Sequence, residues 1–566
     1  MSYIERAQAW TDDFFDNDTV NEVLKMKQNP ELLEDCFYRD LEFGTGGMRG
    51  VMGVGTNRIN EYTLGKNTQG LANYLKELYP AKELKVAIAY DCRNNSNTLA
   101  QTVANVLSAN GITAYLFPEL RTTPALSFSV KELNCQAGIV LTASHNPPEY
   151  NGYKVYWADG GQIVPPQDQE IVNHINAIDF KDINFNANAS LIKLLGKDTD
   201  EAFFNASVAN GDFKAPNKEN LNIVFTPLHG TSITAIPEVL KRAGYENVHI
   251  VESQRVPDGN FPTVKSPNPE EPEALKLALE LADEVHADIV IGTDPDSDRL
   301  GIAVRDQSGK LILLNGNQTM VLMIDFLLQE RQKKGFKKGD YIASTIVSTP
   351  MMKVIADAYG VGYIETLTGF KWIADAIKNR EQQYFIGGGE ESYGFMVGDF
   401  VRDKDAVTST LLACEIATYA KSEGISMYQR LLELYKEHGC YKEHLISLVK
   451  KGKKGAEEIA QMMVNLRQQP PQNIGGEKVI KVADYQESIL KDLRDNSETT
   501  IDLPKSNVLI FHTEKGSMIA ARPSGTEPKI KFYISVNASL ATTDDYLSTS
   551  QKLQERIDAI AKDFNN

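Results

Sequence analysis

Three aspartates, Asp294, Asp296 and Asp298, alternate in the run DPDSDR directly after an apolar stretch. Residues two apart along an extended segment point to one side, so three carboxylates are expected to face one cation. Hard oxygen ligands suit Mg²⁺, which takes few carboxylates and completes its shell with phosphate or water. An EF-hand loop is excluded, because Arg299 stands where glycine is needed and Arg305 where glutamate is needed. A phosphatase-type nucleophilic aspartate and a solvated acidic turn are the other readings of the same run.

Ser144 lies in TASHNPPEYNGYK, just past a second apolar run. A hydroxyl exposed at a strand-to-loop turn can accept a phosphoryl group and return it, and that oxygen would complete the ligand shell of a cation on the aspartates. No G-x-S-x-G surrounds it, so a hydrolase elbow is not supported. Lys154 follows ten residues later as a candidate counter-charge, and His145 either hydrogen-bonds phosphate or shapes the turn. Two further loops carry polar groups. GGGEESYG offers Glu390 and Ser392 to paired hydroxyls, with Lys371 just upstream in TGFKW. RPSGTEPK offers the planar fork of Arg522, with Ser524, Gly525 and Thr526 as an anion-binding nest. GTGGMRG at 44–50 matches neither a dinucleotide fingerprint nor a P-loop, but Arg49 within it can bring a cation to the serine.

The elements that must hold these loops alternate between short apolar runs and helical stretches, the mark of an α/β chain. Three segments resemble one another. LKVAIAYD is followed by AGIVLTASHNP, LNIVFTPLHG by ADIVIGTDPDSD, and YIASTIVSTP by YFIGGGEES. Each second run ends in a polar loop, at the strand end where open α/β sheets bind ligands. The expectation is three related mixed α/β domains plus a smaller C-terminal α+β domain, arranged around a central cleft. The limits drawn are 1–208, 209–315, 316–440 and 441–566, and 566 residues allow such a count.

The loops, in this order, resemble the alpha-D-phosphohexomutase superfamily of phosphoglucomutases and phosphomannomutases, over nearly the whole chain from Gly44 to Lys531. The resemblance implies phosphorylation on Ser144 and Mg²⁺ held by Ser144, Asp294, Asp296 and Asp298. It implies sugar contacts from Glu390, Ser392, Thr368 and Gly369. Arg522, Ser524, Gly525, Thr526 and Lys531 would grip the non-reacting phosphate, and Arg49, Lys154, His145, Arg299 and Lys371 would lie near the reacting groups. The implied activity is exchange between glucose 1-phosphate and glucose 6-phosphate, with glucose 1,6-bisphosphate as intermediate and activator. Gly394 stands where many phosphomannomutase-like members carry histidine. That favours glucose over mannose or pentose phosphates. A magnesium-dependent sugar phosphatase and a non-catalytic sugar-bisphosphate binder are the remaining alternatives.

A net charge of -17 speaks against nucleic acid and anionic membranes as partners. The five cysteines are scattered, and the start of the chain has no apolar signal core. The expectation is a cytoplasmic enzyme of small sugar phosphates, a monomer or small homo-oligomer.

Overall fold

A computed structural model describes residues 1–44, 46–380, 382–450, 452–525 and 528–564. The chain forms two compact units. The first comprises Met1–Gly316, Phe370–Glu381 and Ser392–Gly424, and the second Asn317–Gly369, Gln382–Glu391 and Ile425–Asn566.

The first unit holds two sheets. In one, strands run in the order Gly47–Val51, Tyr150–Trp157, Ala137–Leu141, Lys85–Tyr90, Thr113–Leu116, Ile192–Leu194. The apolar runs at 85–90 and 137–141 pair in parallel, and their side chains feed alternate faces. Val86 and Ile88 join one buried cluster with Leu71, Leu75 and Val103, while Ala87, Ala89 and Val140 join another with Leu126 and Val130. Helices therefore cover both faces, which is why these strands read as continuous apolar runs rather than alternating ones. The other sheet runs Leu311–Leu314, Leu300–Arg305, Ile289–Thr293, Ile223–Thr226, Val248–Ile250, again with its two landmark runs parallel. Three short helices, from Tyr3 to Phe37, are pinned by Trp10, which meets Phe15, Phe37, Tyr62 and Phe180.

The second unit repeats the pattern once, with strand Asp340–Thr345 parallel to both Gly362–Thr366 and Tyr384–Gly389. It also carries an antiparallel sheet in which Cys440–Val449 pairs with Lys529–Ala538, and that strand with Met518–Pro523. Helices Gly452–Gln468 and Tyr546–Phe564 accompany it. The C-terminal α+β region is thus present. All five cysteines are free thiols, and among the described residues no helix is long and apolar enough to cross a membrane.

The GTGGMRG segment runs into the edge strand Gly47–Val51, antiparallel to Tyr150–Trp157. A glycine of the partner strand permits the close approach: a Cβ on Gly152 would lie 2.5 Å from the Thr142 carbonyl and 2.8 Å from that of Met48. The pairing sets Arg49 opposite Gly152 and Gly47 opposite Lys154.

Candidate active site

The serine turn and the aspartate turn meet inside the first unit. Ser144 follows strand Ala137–Leu141 and takes a left-handed conformation, φ 52°. For a residue with a Cβ this costs about 1–3 kcal/mol, a strain that persists only where surrounding bonds over-determine it. Those bonds are present: the Ser144 amide donates to Thr142 Oγ1 at 2.8 Å, and its carbonyl accepts from Arg93 Nη2 at 2.6 Å. The result aims the hydroxyl at Asp294, donating to Oδ2 at 2.7 Å.

The three aspartates do not lie along an extended segment, as the alternation suggested. The segment turns back on itself, with Ser297 at φ 62°. Asp294 Oδ1 accepts from the amides of Asp298 and Arg299 at 3.1 and 3.0 Å. The local carboxylate-to-amide bonds win over strand geometry because Asp294 is wholly buried and must be satisfied. The carboxylates converge all the same: one oxygen from each lies within 4.8 Å of the others.

Cations ring this cluster. Lys154 Nζ donates to Asp296 Oδ2 at 2.6 Å and Asp298 Oδ2 at 3.2 Å. Lys404 Nζ lies 3.2 Å from Asp298 Oδ2. Arg299 Nη1 donates to Glu270 Oε1 and to His145 Nδ1, both at 3.0 Å. Burial works to raise Asp298, but Lys404, Lys154 and Arg299 overcome it and hold it far below the carboxylate range. Burial, reinforced by Asp296 and Asp298, instead pushes Asp294 well above that range. Burial and the positive charges of Arg299 and Arg49 drive His145 down to about 2. It is therefore a neutral imidazole whose Nδ1 accepts from Arg299, which places its proton on Nε2.

A divalent cation fits this set. Among the described residues, Asp296 Oδ1 and Asp298 Oδ1 are buried without a hydrogen-bond partner. Such orphaned anionic oxygens are costly unless a ligand takes them up. A phosphoserine adds a further charge of about −1.5 to −2. Like unit charges about 4 Å apart repel by roughly 4 kcal/mol at an effective dielectric near 20. Lys154, Lys404 and Arg299 alone are poor compensation for three carboxylates and a phosphate, whereas Mg²⁺ takes oxygen ligands of both kinds.

The other expected residues fall in several places. Arg49 joins the serine turn through Nη1 to Asn146 Oδ1 at 2.8 Å. Arg299 pairs with Gly394, and the Leu300 amide donates to the Tyr393 carbonyl at 3.0 Å, so the segment after Ser392 is bound to the aspartate turn. Lys371 lies with Nζ 5.2 Å from the Trp372 ring; burial pushes it down to about 8, against the pull of Asp168. The loop carrying Glu390 and Ser392 is divided between the units, Glu390 in the second and Ser392 in the first.

Within the second unit, Arg522 and Lys531 face each other across paired strands. Burial raises Glu391 against the weaker pull of Thr345, Arg522 and Lys531, and its Oε2 accepts from Thr345 Oγ1 at 3.1 Å. Two cations side by side favour a doubly charged anion. The Ser524 amide closes the turn onto the Lys529 carbonyl at 2.7 Å, and Gly525 is exposed. Thr526 lies outside the described residues. Thr368 Oγ1 is buried without a hydrogen-bond partner among the described residues, and Gly369 follows at φ 111°.

Sequence reasoning passed over Arg93, Thr123, Lys404 and Glu391. Thr123 Oγ1 donates to Asp296 Oδ2 at 2.9 Å from the start of helix Thr123–Glu132. Glu391 was overlooked beside Glu390, and Lys404 sits in an ordinary-looking RDKDA run. Only the position of Arg93, just beyond the end of strand Lys85–Tyr90, offered a signal.

The descriptions "phosphoglucomutase/phosphomannomutase, alpha/beta/alpha domain" I, II and III match residues 40–182, 201–309 and 315–438. A phosphoglucomutase of Staphylococcus haemolyticus is 38% identical over 537 residues, covering 94% of this chain and 95% of its own. Among solved structures, a phosphoglucomutase/phosphomannomutase family protein of Burkholderia thailandensis aligns with a TM-score of 0.65 at 19% identity, over 90% of this chain and 97% of its own. Parafusin, a phosphoglucomutase of Paramecium, aligns in its open form with a TM-score of 0.65 at 19% identity, over 93% and 96%.

Proposed function

The chain belongs to the phosphoglucomutase/phosphomannomutase family, and on that footing we propose that it interconverts alpha-D-glucose 1-phosphate and glucose 6-phosphate, with Ser144 as the phosphoryl carrier. It is an intramolecular phosphotransferase, an isomerase. The observation that carries the reading is the 2.7 Å bond from Ser144 Oγ to Asp294, inside a buried cluster of three carboxylates and their cations.

In this reading the bond from phosphorus to Ser144 Oγ breaks as one forms to the free sugar hydroxyl. The proton of that hydroxyl ends on Ser144 Oγ. The product of this half-reaction is glucose 1,6-bisphosphate, which turns over and returns its other phosphate to the serine. Ser144, Asp294, Asp296 and Asp298 would hold Mg²⁺, which supplies charge stabilisation to the transferring group when bound. Lys154, Lys404 and Arg299 keep the carboxylates in place and add positive charge to the transferring oxygens, since phosphoryl transfer depends on alignment and electrostatics. Arg522, Lys531 and the turn at Ser524–Gly525, with Thr526, grip the phosphate that is not reacting. Glu390, Ser392, Thr368 and Gly369 orient the sugar, with Arg49, His145 and Lys371 completing the set. We retain the limits at 208, 315 and 440 as domain boundaries, and a cytoplasmic location.

Replacing Arg522 tests the phosphate grip. Arg522→Ala is expected to raise KM about 10–100-fold, the weight of charge-assisted hydrogen bonds to a dianion. Steady-state kinetics indistinguishable from the parent would remove Arg522 from the site.

Choice of sugar is read from kcat/KM for glucose, mannose and pentose 1-phosphates. The highest value is expected for glucose, and a preference for another sugar would reassign the substrate. Release of inorganic phosphate in step with substrate loss would identify a phosphatase instead.

A further inference from the structure

Arg93 has no catalytic chemistry in this scheme, yet its side chain is completely inaccessible and its two terminal nitrogens donate four hydrogen bonds. Nη2 donates to the carbonyls of Ser144, at 2.6 Å, and Asn146. Nη1 donates to those of Pro147, at 2.8 Å, and Tyr150, at 3.0 Å. Nε faces Asp91 Oδ2 at 3.3 Å. All four acceptors are thus main-chain oxygens of the segment 144–150 that begins with the strained serine. Asp91 is itself held by the Ser96 hydroxyl and the Arg93 amide, both at 2.9 Å.

The guanidinium is also covered from the second sheet's side of the unit. The Phe261 ring lies with its centroid 5.2 Å from Arg93 Cζ. Nearby, a Cβ on Gly259 would come within 2.5 Å of the Asn94 nitrogen and 2.8 Å of the Cys92 carbonyl. Backbone therefore meets backbone at 92–94 and 259. From there a hydrogen-bond path reaches the aspartates: the Asp258 amide donates to the His229 carbonyl at 3.1 Å, and the Thr231 amide to the Pro295 carbonyl at 2.8 Å.

We propose that Arg93 is a positioning residue that sets the distance between Ser144 Oγ and the aspartate turn, by gathering the serine turn onto its guanidinium while Phe261 and Gly259 seat that guanidinium against the second sheet. This rests on the reading of Ser144 as the phosphoryl carrier. Lysine cannot replace it: an ammonium has three donors and no planar fork, so it leaves buried carbonyls of the turn unpaired.

The test is the rate at which dephosphorylated Ser144 takes phosphate from saturating glucose 1,6-bisphosphate, followed by intact mass. Bisphosphate affinity is measured alongside by calorimetry. Arg93→Lys is expected to slow transfer about 100-fold with affinity changed by no more than about twofold, because misplacement by about 1 Å acts on the reacting geometry and not on distant binding groups. Transfer at the parental rate, or a parallel fall in rate and affinity, overturns the proposal. Should Arg93→Lys fail to fold, Phe261→Leu carries the test: about tenfold slower transfer at unchanged affinity is expected, and an unchanged rate overturns it. A parent protein that never accepts phosphate on Ser144 would sink the functional reading itself. Variants matching an active parent would sink only the role of Arg93.

Discussion

Ser144→Ala abolishes turnover, with kcat falling by at least about 10⁴-fold, as expected when a covalent relay loses its nucleophile. The substitution removes one oxygen, which donates to Asp294 Oδ2 and lies 3.1 Å from His145 Nδ1. The Ser144 carbonyl and amide keep their bonds to Arg93 and Thr142, so the turn survives and the loss is chemical. Two measurements check this. Intact mass and peptide mapping of active parent enzyme should find one phosphoryl group on Ser144, and the alanine variant should carry none after exposure to glucose 1,6-bisphosphate. A variant that remains active, or phosphate found on another residue, ends the assignment. The same experiment excludes Asp294 as nucleophile, since that route needs no serine.

Chelation with EDTA lowers kcat/KM by at least about 10³-fold, the scale of a metal ion that contributes several kcal/mol to a transition state, and added Mg²⁺ restores it. A stability measurement separates binding from catalysis. Mg²⁺ at about 100 times its Kd stabilises the folded chain by about 2.7 kcal/mol, so Tm rises with Mg²⁺ in the parent. Asp294→Asn should lose most of that rise. The same variant, free of metal, should melt no lower than the parent. Burial and its two neighbours already push Asp294 well above the carboxylate range, so ionising it opposes folding. An amide relieves that opposition, and its oxygen can still accept from the amides of Asp298 and Arg299, as Asp294 Oδ1 does. A Mg²⁺-dependent Tm shift equal to the parent's in Asp294→Asn would take Asp294 out of the ligand set.

Much was legible from the chain alone, and for physical reasons. Strands buried on both faces must be apolar throughout, so 85–90, 137–141, 223–226, 289–293 and 340–345 announced themselves, and each pair of landmark runs proved parallel. Groups that do chemistry sit at strand ends as dense polar runs, so Ser144 and the three aspartates stood out as residue types. What pairs with them across the chain did not. Arg93 and Thr123 are single polar residues among ordinary neighbours, and their partners lie 51 and 173 positions away. Lys404 meets Asp298 only because separate segments fold into one unit. The aspartates were expected in an extended row; their own backbone amides folded them into a turn around Asp294. Periodicity along a chain reports which faces are buried, and so it determined the sheets and the chemistry on offer. Distances between charges depend on how loops close in three dimensions, so only the tertiary structure decided which oxygens were left orphaned, which cations answered them, and where the serine hydroxyl points.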